Sequence, residues 1–453
     1  MTELLEFPGD FIWGVATSSQ QIEGGAEEGG RGESIWDRFA SEPGNIEDGS
    51  NAATACDHYN LWRQDVELMK WLGVDAYRFS VSWPRIIPEG RGAINEEGLD
   101  FYDSLVDALL EADIIPFITL YHWDLPRKLQ EEGGWANRDT AEAFTEYSIA
   151  VSKRLGDRVR YWSTHNEPWV IATLGHETGE HAPGHRDPAE ALRVSHHLLL
   201  SHGWTVRELR SEVRGIRAGI VVNIVPPRPA TDTHEDLDAA RRFDGSFTRW
   251  YLDPVYRGSY PADAVADRVK AGHLKSSGMP FVREGDMEAI SAEIDFLGIN
   301  FYNPVTVRSG PGGEPEVVRT APQDQLTEMG WEVCPEALYE VLARVRNDYD
   351  PEHIFVTENG AAYPDEPDAN GRVNDRRRVD YFRGHLKQVH RAIEDGVRLG
   401  GYFVWSLMDN FEWAHGYTKR FGLFRVDFGS RKRYPKKSAY YFRDIVKQNA
   451  LKV

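Results

Sequence analysis

The sequence predicts an α/β fold, a single (β/α)8 TIM barrel whose functional face lies at the carboxyl ends of the strands. Short apolar, β-branched or aromatic runs recur along the 453 residues, and a loop and usually a helical period follow each run. Strands that alternate with helices pair in parallel through right-handed crossovers. Eight such units favour closure into a barrel, and a doubly wound open sheet is the alternative.

The predicted strands are apolar enough to be covered on both faces. They are 11–17, 77–83, 114–123, 160–168, 215–226, 295–304, 354–360 and 401–410. Apolar residues at helical spacing predict helices at 61–72, 139–155, 335–347 and 375–394. Gly73 and Gly156 are suited to end two of these helices, and Pro335 fits the first position of a third.

Three connections are too long to be simple links between strands and helices. Residues 227–294 are rich in charge and are expected to hold a helical excursion. The segments 24–58 and 305–334 are predicted loops, and long loops in compact domains tend to be functional or disordered. No linker rich in Ser, Gly or Pro divides the chain, so residues 1–453 are expected to form one domain.

The charge of the chain argues against two classes of partner. Lys and Arg number 52 and Asp and Glu number 72, which gives a formal net charge of −20. Nucleic-acid phosphates and anionic lipids attract clustered Lys and Arg, so no nucleic acid and no membrane is expected as a partner. The two cysteines, Cys56 and Cys334, cannot form a disulfide framework. We recognise neither a signal peptide nor a membrane span, and this predicts a cytoplasmic protein.

Polar and aromatic side chains gather where the predicted strands end. The residues concerned are Gln20, Gln21, Arg78, His122, Trp123, Asn166, Glu167, Asn300, Tyr302, Glu358, Asn359, Trp405, Glu412 and Trp413. In a parallel barrel all of these ends share one face, and active sites are built on that face. Any single residue of this kind is more often a satisfied core group, but seven of eight strands with the same feature favour a common site.

Two carboxylates stand out in this set, Glu167 and Glu358. Cleavage of a glycosidic bond needs one carboxylic acid to protonate the leaving oxygen and one carboxylate to face an oxocarbenium-like centre. The two groups must therefore titrate differently, and Arg78 and Tyr302 are candidates to keep one of them ionised. Tryptophan rings suit the C–H faces of a sugar, and polar side chains can bond its hydroxyls. The candidates for these two tasks are Trp123, Trp331, Trp405, Trp413, Gln21, His122, Asn166 and Glu412.

The motifs around these residues identify a family resemblance along nearly the whole chain. The matching stretches are QIEG (21–24), YRFSVSWPRI (77–86), LYHWDLP (120–126), THNEP (164–168), INFYNP (299–304), FVTENG (355–360) and WSLMDNFEW (405–413). The chain thereby resembles the glycoside hydrolase family 1 β-glycosidases, which are retaining (β/α)8 hydrolases. The T-x-N-E-P and T-E-N-G motifs together, in this order, are a highly specific signal.

The resemblance implies a role for each site residue. Glu167 resembles the general acid/base, and Glu358 resembles the nucleophile. Arg78 and Tyr302 resemble the groups that hold the nucleophile, and Asn300 resembles a neighbour of the acid/base. The implied sugar ligands are Gln21, His122, Asn166, Glu412 and Trp413, with Trp405 and Phe421 as the stacking floor. Trp331 resembles the platform for the leaving group, and His176, at a position where Tyr is common in the family, is placed with it.

The implied activity is that of a retaining, exo-acting β-glucosidase of the kind used in cellulose degradation. Its expected substrates are β-glucosides and cello-oligosaccharides, with β-galactosides and β-fucosides as secondary substrates. The intact Phe411-Glu412-Trp413 stretch disfavours a 6-phospho-β-glucosidase, because relatives that act on phosphosugars lack the Glu-Trp pair. A transglycosylating enzyme and a non-catalytic sugar-binding barrel remain as alternatives, and both a monomer and a homo-oligomer are compatible with the sequence.

No metal or cofactor is expected to be required. His181 and His185 are four residues apart, but Pro183 and Gly184 lie between them and prevent the helix that would align the two rings. His196, His197 and His202 fall in an amphipathic stretch and are interpreted as packing or surface residues.

Overall fold

A computed structural model describes residues 4–275 and 278–453. Its centre is a closed barrel of eight parallel strands, and this confirms the predicted fold over the open sheet. The strands are β1 (Ile12–Ala16), β2 (Ala76–Ser80), β3 (Ile115–Tyr121), β4 (Tyr161–Asn166), β5 (Arg217–Asn223), β6 (Phe296–Asn300), β7 (Ile354–Asn359) and β8 (Leu399–Trp405). They follow one another around the barrel in chain order, and β8 closes it on β1 through the pairs from Gly401–Ile12 to Trp405–Ala16.

The helices cover the outside of the barrel. The longer ones are His58–Leu72, Glu96–Glu111, Asp139–Leu155, Pro188–Glu212, His234–Asp244, Trp250–Arg257, Ala262–Lys270, Pro335–Tyr349, Arg376–Glu394 and Lys437–Gln448. The four predicted helices are present, and the bounds of Asp139–Leu155 agree to the residue. Gly73 ends the first helix with a φ of 73°, a backbone conformation that glycine adopts freely. Among the described residues, no helix combines the length and the apolar character that crossing a membrane requires.

The long connections contain more regular structure than the sequence predicts. Residues 227–294 hold helices, as expected, and two π-helical turns lie at Val170–Glu177 and Gly245–Arg249. The segment 305–334, predicted to be a loop, contains the antiparallel strands Val305–Ser309 and Pro315–Val318. This hairpin forms because Val307 is fully buried and because Pro227–Pro229 provides a third strand. The segment 24–58 carries a helix, Ile35–Ala40, with a capping box between Ser34 and Asp37.

The lower half of the barrel interior is a packed aromatic core. Phe117 lies at its centre, with ring centroids 5.1 Å from Phe296, 5.3 Å from Phe403 and 5.6 Å from Phe355. Burial of each such ring stabilises the fold by about 1.5–3 kcal/mol. The barrel is therefore filled below, and a ligand can enter only from the upper end, where the strands end in polar residues.

Candidate active site

The carboxyl ends of the strands open into a cavity of about 660 Å³. Most of the residues singled out in the sequence line it, and they are His122, Trp123, Glu167, Asn300, Tyr302, Trp331, Glu358, Trp405, Glu412, Trp413 and Phe421. Gln21, Arg78 and Asn166 lie directly behind this lining and are hydrogen-bonded to it. The parallel geometry thus brings together residues that are up to 400 positions apart in the chain.

Glu358, at the end of β7, lies between two strong donors. Arg78 Nη1 donates to Oε1 at 2.6 Å, and the Tyr302 hydroxyl donates to Oε2 at 2.6 Å. Burial raises the pKa of Glu358 above its ordinary value, while the Arg78 charge and these two hydrogen bonds lower it. Both donors favour the carboxylate, so Glu358 is the group that ionises first in this cavity.

Glu167, directly after β4, has different surroundings. Its Oε1 accepts one hydrogen bond, from Asn300 Nδ2 at 2.5 Å. Burial raises the pKa of Glu167, and the negative charge of Glu358 raises it further. Glu167 is therefore the carboxyl group that keeps its proton when Glu358 is ionised.

The backbone at three cavity residues is left-handed. Glu167 has a φ of 50°, Trp123 a φ of 83° and Trp413 a φ of 49°. The Glu167 amide donates to the Val221 carbonyl of β5 at 2.9 Å, and this bond holds the turn in place. Non-glycine residues rarely adopt this conformation, and such residues cluster at functional sites.

Asn166 joins the surroundings of the two carboxyl groups. Its Oδ1 accepts from Arg78 Nη2 at 2.7 Å and from Asn300 Nδ2 at 3.0 Å, so its amide nitrogen faces the other way. That Nδ2 donates to His122 Nε2 at 3.1 Å, which leaves the proton of the neutral imidazole on Nδ1. Burial lowers the pKa of His122 well below its ordinary value. His122 Nδ1 is buried without a hydrogen-bond partner among the described residues.

A third carboxyl group, Glu412, lies on the opposite wall. Gln21 Nε2 donates to Glu412 Oε2 at 3.3 Å and to the Phe411 carbonyl at 2.9 Å. Burial and the nearby charge of Glu358 raise the pKa of Glu412 to about 8. Glu412 and Gln21 together offer both donors and acceptors, as recognition of vicinal sugar hydroxyls requires.

Aromatic rings form the flat walls of the cavity. Trp123 and Trp413 pack with ring centroids 4.4 Å apart, and the His122 ring lies nearly parallel to Trp405. On the outer side of the cavity, the ring centroids of Trp331 and Tyr302 are 5.1 Å apart. These surfaces suit the apolar faces of a pyranose.

Two features behind the cavity could not be anticipated from the sequence. Asn359 Oδ1 accepts from the Tyr402 hydroxyl at 2.6 Å, and its Nδ2 donates to the Phe301 carbonyl at 2.7 Å, so the chain beside Glu358 is fixed. A Cβ on Gly360 would lie 1.8 Å from the Trp405 carbonyl oxygen, so only glycine allows this approach. Tyr402 is part of an apolar strand pattern and carries no signal of this role.

The outer wall of the cavity also contains residues that the sequence did not single out. Trp169 stacks on Phe247 with ring centroids 4.0 Å apart, and Phe247 stacks on Phe243 with ring centroids 5.4 Å apart. His181 and Asn223 line the same region. Phe243 and Phe247 come from the charged excursion, where nothing in their spacing distinguishes them from helix packing.

The expectation for His176 is not supported by its position in the structure. The π-helical turn Val170–Glu177 presents Val170 and Leu174 to the cavity, and His176 lies on another face of that turn. Its ring is buried, with Nδ1 2.9 Å from Glu190 Oε1. We therefore leave His176 out of the candidate active site.

Comparison with known proteins agrees with this geometry. The family model described as glycosyl hydrolase family 1 matches residues 4–451. A 1,4-beta-D-glucan glucohydrolase from Thermotoga neapolitana is 48% identical over 448 residues, covering 98% of this chain and 99% of the relative. A bifunctional beta-D-glucosidase/beta-D-fucosidase from Bifidobacterium breve is 42% identical over 461 residues, covering 97% and 98%.

A solved structure is equally similar. The family 1 b-glucosidase from Thermotoga maritima superposes with a TM-score of 0.94 at 46% sequence identity, and the match covers 99% of both chains. The match of the family model and of these relatives extends over the whole barrel together with its cavity. The protein is therefore a glycoside hydrolase that belongs to glycosyl hydrolase family 1.

Proposed function

We propose that the protein is a retaining, exo-acting β-glucosidase that hydrolyses terminal, unphosphorylated β-D-glucosyl residues. The observation that carries this proposal is the pair of carboxyl groups with opposite settings. Glu358 contacts a guanidinium and a phenol hydroxyl, and Glu167 contacts one amide. Enzymes that cleave glycosides with retention need one ionised and one protonated carboxyl group in one cavity.

The reaction then proceeds in two displacements. A carboxylate oxygen of Glu358 attacks the anomeric carbon, the bond to the leaving oxygen breaks, and Glu167 gives its proton to that oxygen. The glycosyl ester removes the negative charge of Glu358, so the pKa of Glu167 falls and its carboxylate becomes a base. Glu167 takes a proton from water, which attacks the anomeric carbon and releases Glu358.

The cavity supports a terminal β-glucosyl unit as substrate. The phenylalanine core closes the barrel below the carboxyl groups, so a sugar chain cannot pass through, and this supports exo action. Glu412 places a carboxyl group in this cavity where a phosphate would need a cation, which supports unphosphorylated sugars. Relatives named for β-glucosidase, glucohydrolase and fucosidase activities support glucosides as the main substrates and β-fucosides as secondary ones. We propose β-galactosides as a further secondary substrate.

The direct test is proton NMR of the hydrolysis of an aryl β-glucoside. We expect β-glucose as the first anomer, followed by slow mutarotation to the α form. α-Glucose as the first product would reject the covalent role of Glu358. Release from the 6-phosphoglucoside alone would reject the proposed substrate class.

A further inference from the structure

A second group of potential ligands lies outside the active-site cavity, on the connection after β4. His176 Nδ1 is 2.9 Å and His185 Nδ1 is 2.8 Å from the same oxygen, Oε1 of Glu190. The three ligand atoms all lie within 4.8 Å of one another. It is the only group of three His, Cys, Asp or Glu side chains with such spacing within residues 4–275 and 278–453.

The backbone brings the two rings together although the two residues are nine positions apart in the sequence. The His185 amide donates to the Gly175 carbonyl at 2.9 Å, and the Asp187 amide donates to the His176 carbonyl at 2.7 Å. The loop 178–187 is thereby folded back along the π-helical turn, and the His176 and His185 rings meet at 89° with centroids 5.2 Å apart. Glu190 lies in the first turn of the helix Pro188–Glu212.

This arrangement offers the ligand types of a divalent transition-metal site. Two imidazole nitrogens converge on one oxygen of one carboxylate. Zinc bonds of ~2.0–2.1 Å in tetrahedral geometry separate neighbouring ligand atoms by roughly 3.3 Å. A small movement of the two imidazoles away from Glu190 Oε1, from their present 2.9 and 2.8 Å, therefore makes room for the ion. Two nitrogens and one oxygen favour Zn²⁺, Cu²⁺ or Ni²⁺ over Ca²⁺ and Mg²⁺.

An ion can reach the group from solvent. His185 and Glu190 line a surface groove of about 820 Å³, separate from the active-site cavity. The side chain of His185 is 42% exposed, and that of His176 is 1% exposed. The group therefore has a buried inner ligand, an exposed outer ligand and a side open to water, which can supply the fourth ligand.

The loop that carries His185 also reaches the active site. His181 lines the outer part of the active-site cavity, where its ring packs 5.6 Å from Trp123. Its amide donates to the Leu174 carbonyl at 3.0 Å. We propose that His176, His185 and Glu190 form a binding site for a divalent transition-metal ion such as Zn²⁺, and that the bound ion holds the loop 178–187 and so adjusts the outer part of the cavity. The binding of the ion does not depend on the proposed function.

Zinc titration of the purified full chain tests the site. We expect one Zn²⁺ per chain by calorimetry for the native protein, and loss of that binding in His185→Gln and in Glu190→Gln. The weakening should exceed the ~10–100-fold that the loss of an outer-sphere partner costs. His353→Gln is the matched control, because His353 is 45% exposed beside Glu352 but belongs to no such group. Binding equal in His185→Gln and the native protein would reject the site.

Cu²⁺ as a probe identifies the ligands directly. Electron spin-echo spectra should show two coordinated imidazoles in the native protein and fewer than two in His185→Gln, whereas His353→Gln should keep two. Spectra with no imidazole in the native protein would overturn the assignment. For the loop, saturating Zn²⁺ should change KM for an aryl β-glucoside, and this change should vanish in His185→Gln. Zinc binding with unchanged KM would overturn the proposed effect on the cavity.

Discussion

The surroundings of Glu358 and of Glu167 differ in charge although both side chains lie in one buried cavity. A guanidinium and a phenol hydroxyl approach Glu358, and one side-chain amide approaches Glu167. Asn166 and Asn300 connect the two regions, so the groups share one hydrogen-bond network. The comparison indicates that chemically equal side chains acquire different proton affinities from the charges placed beside them, since burial alone would raise the pKa of both.

The largest expected effect comes from removing each carboxyl group in turn. Glu358→Gly should lower kcat for an aryl β-glucoside by on the order of 10⁵-fold or more. Glu167→Gly should lower hydrolysis by ~10²–10⁴-fold, because it removes acid/base help and leaves the nucleophile.

Added azide then distinguishes the two roles by product configuration. In Glu358→Gly, azide should attack from the face that the side chain vacated and give the α-glucosyl azide. In Glu167→Gly, azide should take the place of water on the glycosyl ester and give the β-glucosyl azide. NMR of the products identifies the anomer, and native enzyme with azide is the control. If each variant gave the anomer expected of the other, the two roles would be reversed.

Removing the Arg78 cation beside Glu358 should reduce the difference in pKa between Glu358 and Glu167. Arg78→Met should raise the pKa of Glu358, because the positive charge that stabilises its carboxylate is removed. A higher pH is then needed to ionise the nucleophile, so the acidic limb of the pH profile of kcat/KM should move to higher pH. We expect kcat to fall by ~10²–10³-fold, as for loss of a preorganised electrostatic group. Tyr302→Phe should move the same limb in the same direction by less. A fall in kcat without any movement of that limb in either variant would contradict the assignment.

A smaller effect is expected from the third carboxyl group. The charge of Glu412 raises the pKa of Glu167, so Glu412→Gln should lower that pKa. Glu167 must be protonated to act as the acid, so the alkaline limb of the pH profile of activity should move to lower pH. KM for the glucoside should also rise by ~10-fold, since a hydroxyl partner is altered. Glu332→Gln, on the outer part of the cavity, is the matched control and should leave the alkaline limb in place.

The smallest expected effect comes from the outer wall. Trp331→Ala should raise KM for aryl glucosides by ~10-fold, because a stacking surface is lost. Both limbs of the pH profile should stay in place, since the substitution removes no charge from the cavity. Steady-state kinetics across pH measure both quantities, and a displaced limb would show that Trp331 acts on the carboxyl groups.

The sequence predicts the barrel and the inner part of the site for the same physical reason. Strands covered on both faces read as short runs rich in apolar, β-branched and aromatic residues, and the sequence contains eight such runs. Parallel pairing then places every strand end on one face, so Arg78, Asn166 and Glu358 could be grouped before any distance was known. Their individual roles came from the family resemblance and remain predictions.

The connections are less predictable, because tertiary packing decides which face of a short segment meets the cavity. His176 and Leu174 are two residues apart on one π-helical turn, and Leu174 lines the cavity while His176 contacts Glu190. The hairpin around Val307 depends on a neighbouring strand far away in the sequence. Phe243 and Phe247 line the cavity because the excursion folds over it, and no local pattern reports that.

The left-handed backbone at Trp123, Glu167 and Trp413 lowers the thermal stability of the native state. Each such residue costs the native state about 1–3 kcal/mol relative to an unstrained backbone. Glu167→Gly relieves this conformation and removes one member of a buried pair of acids, so this variant of low activity should melt at a higher temperature than the native enzyme. Selection for heat tolerance alone would therefore disfavour a non-glycine residue at these three positions.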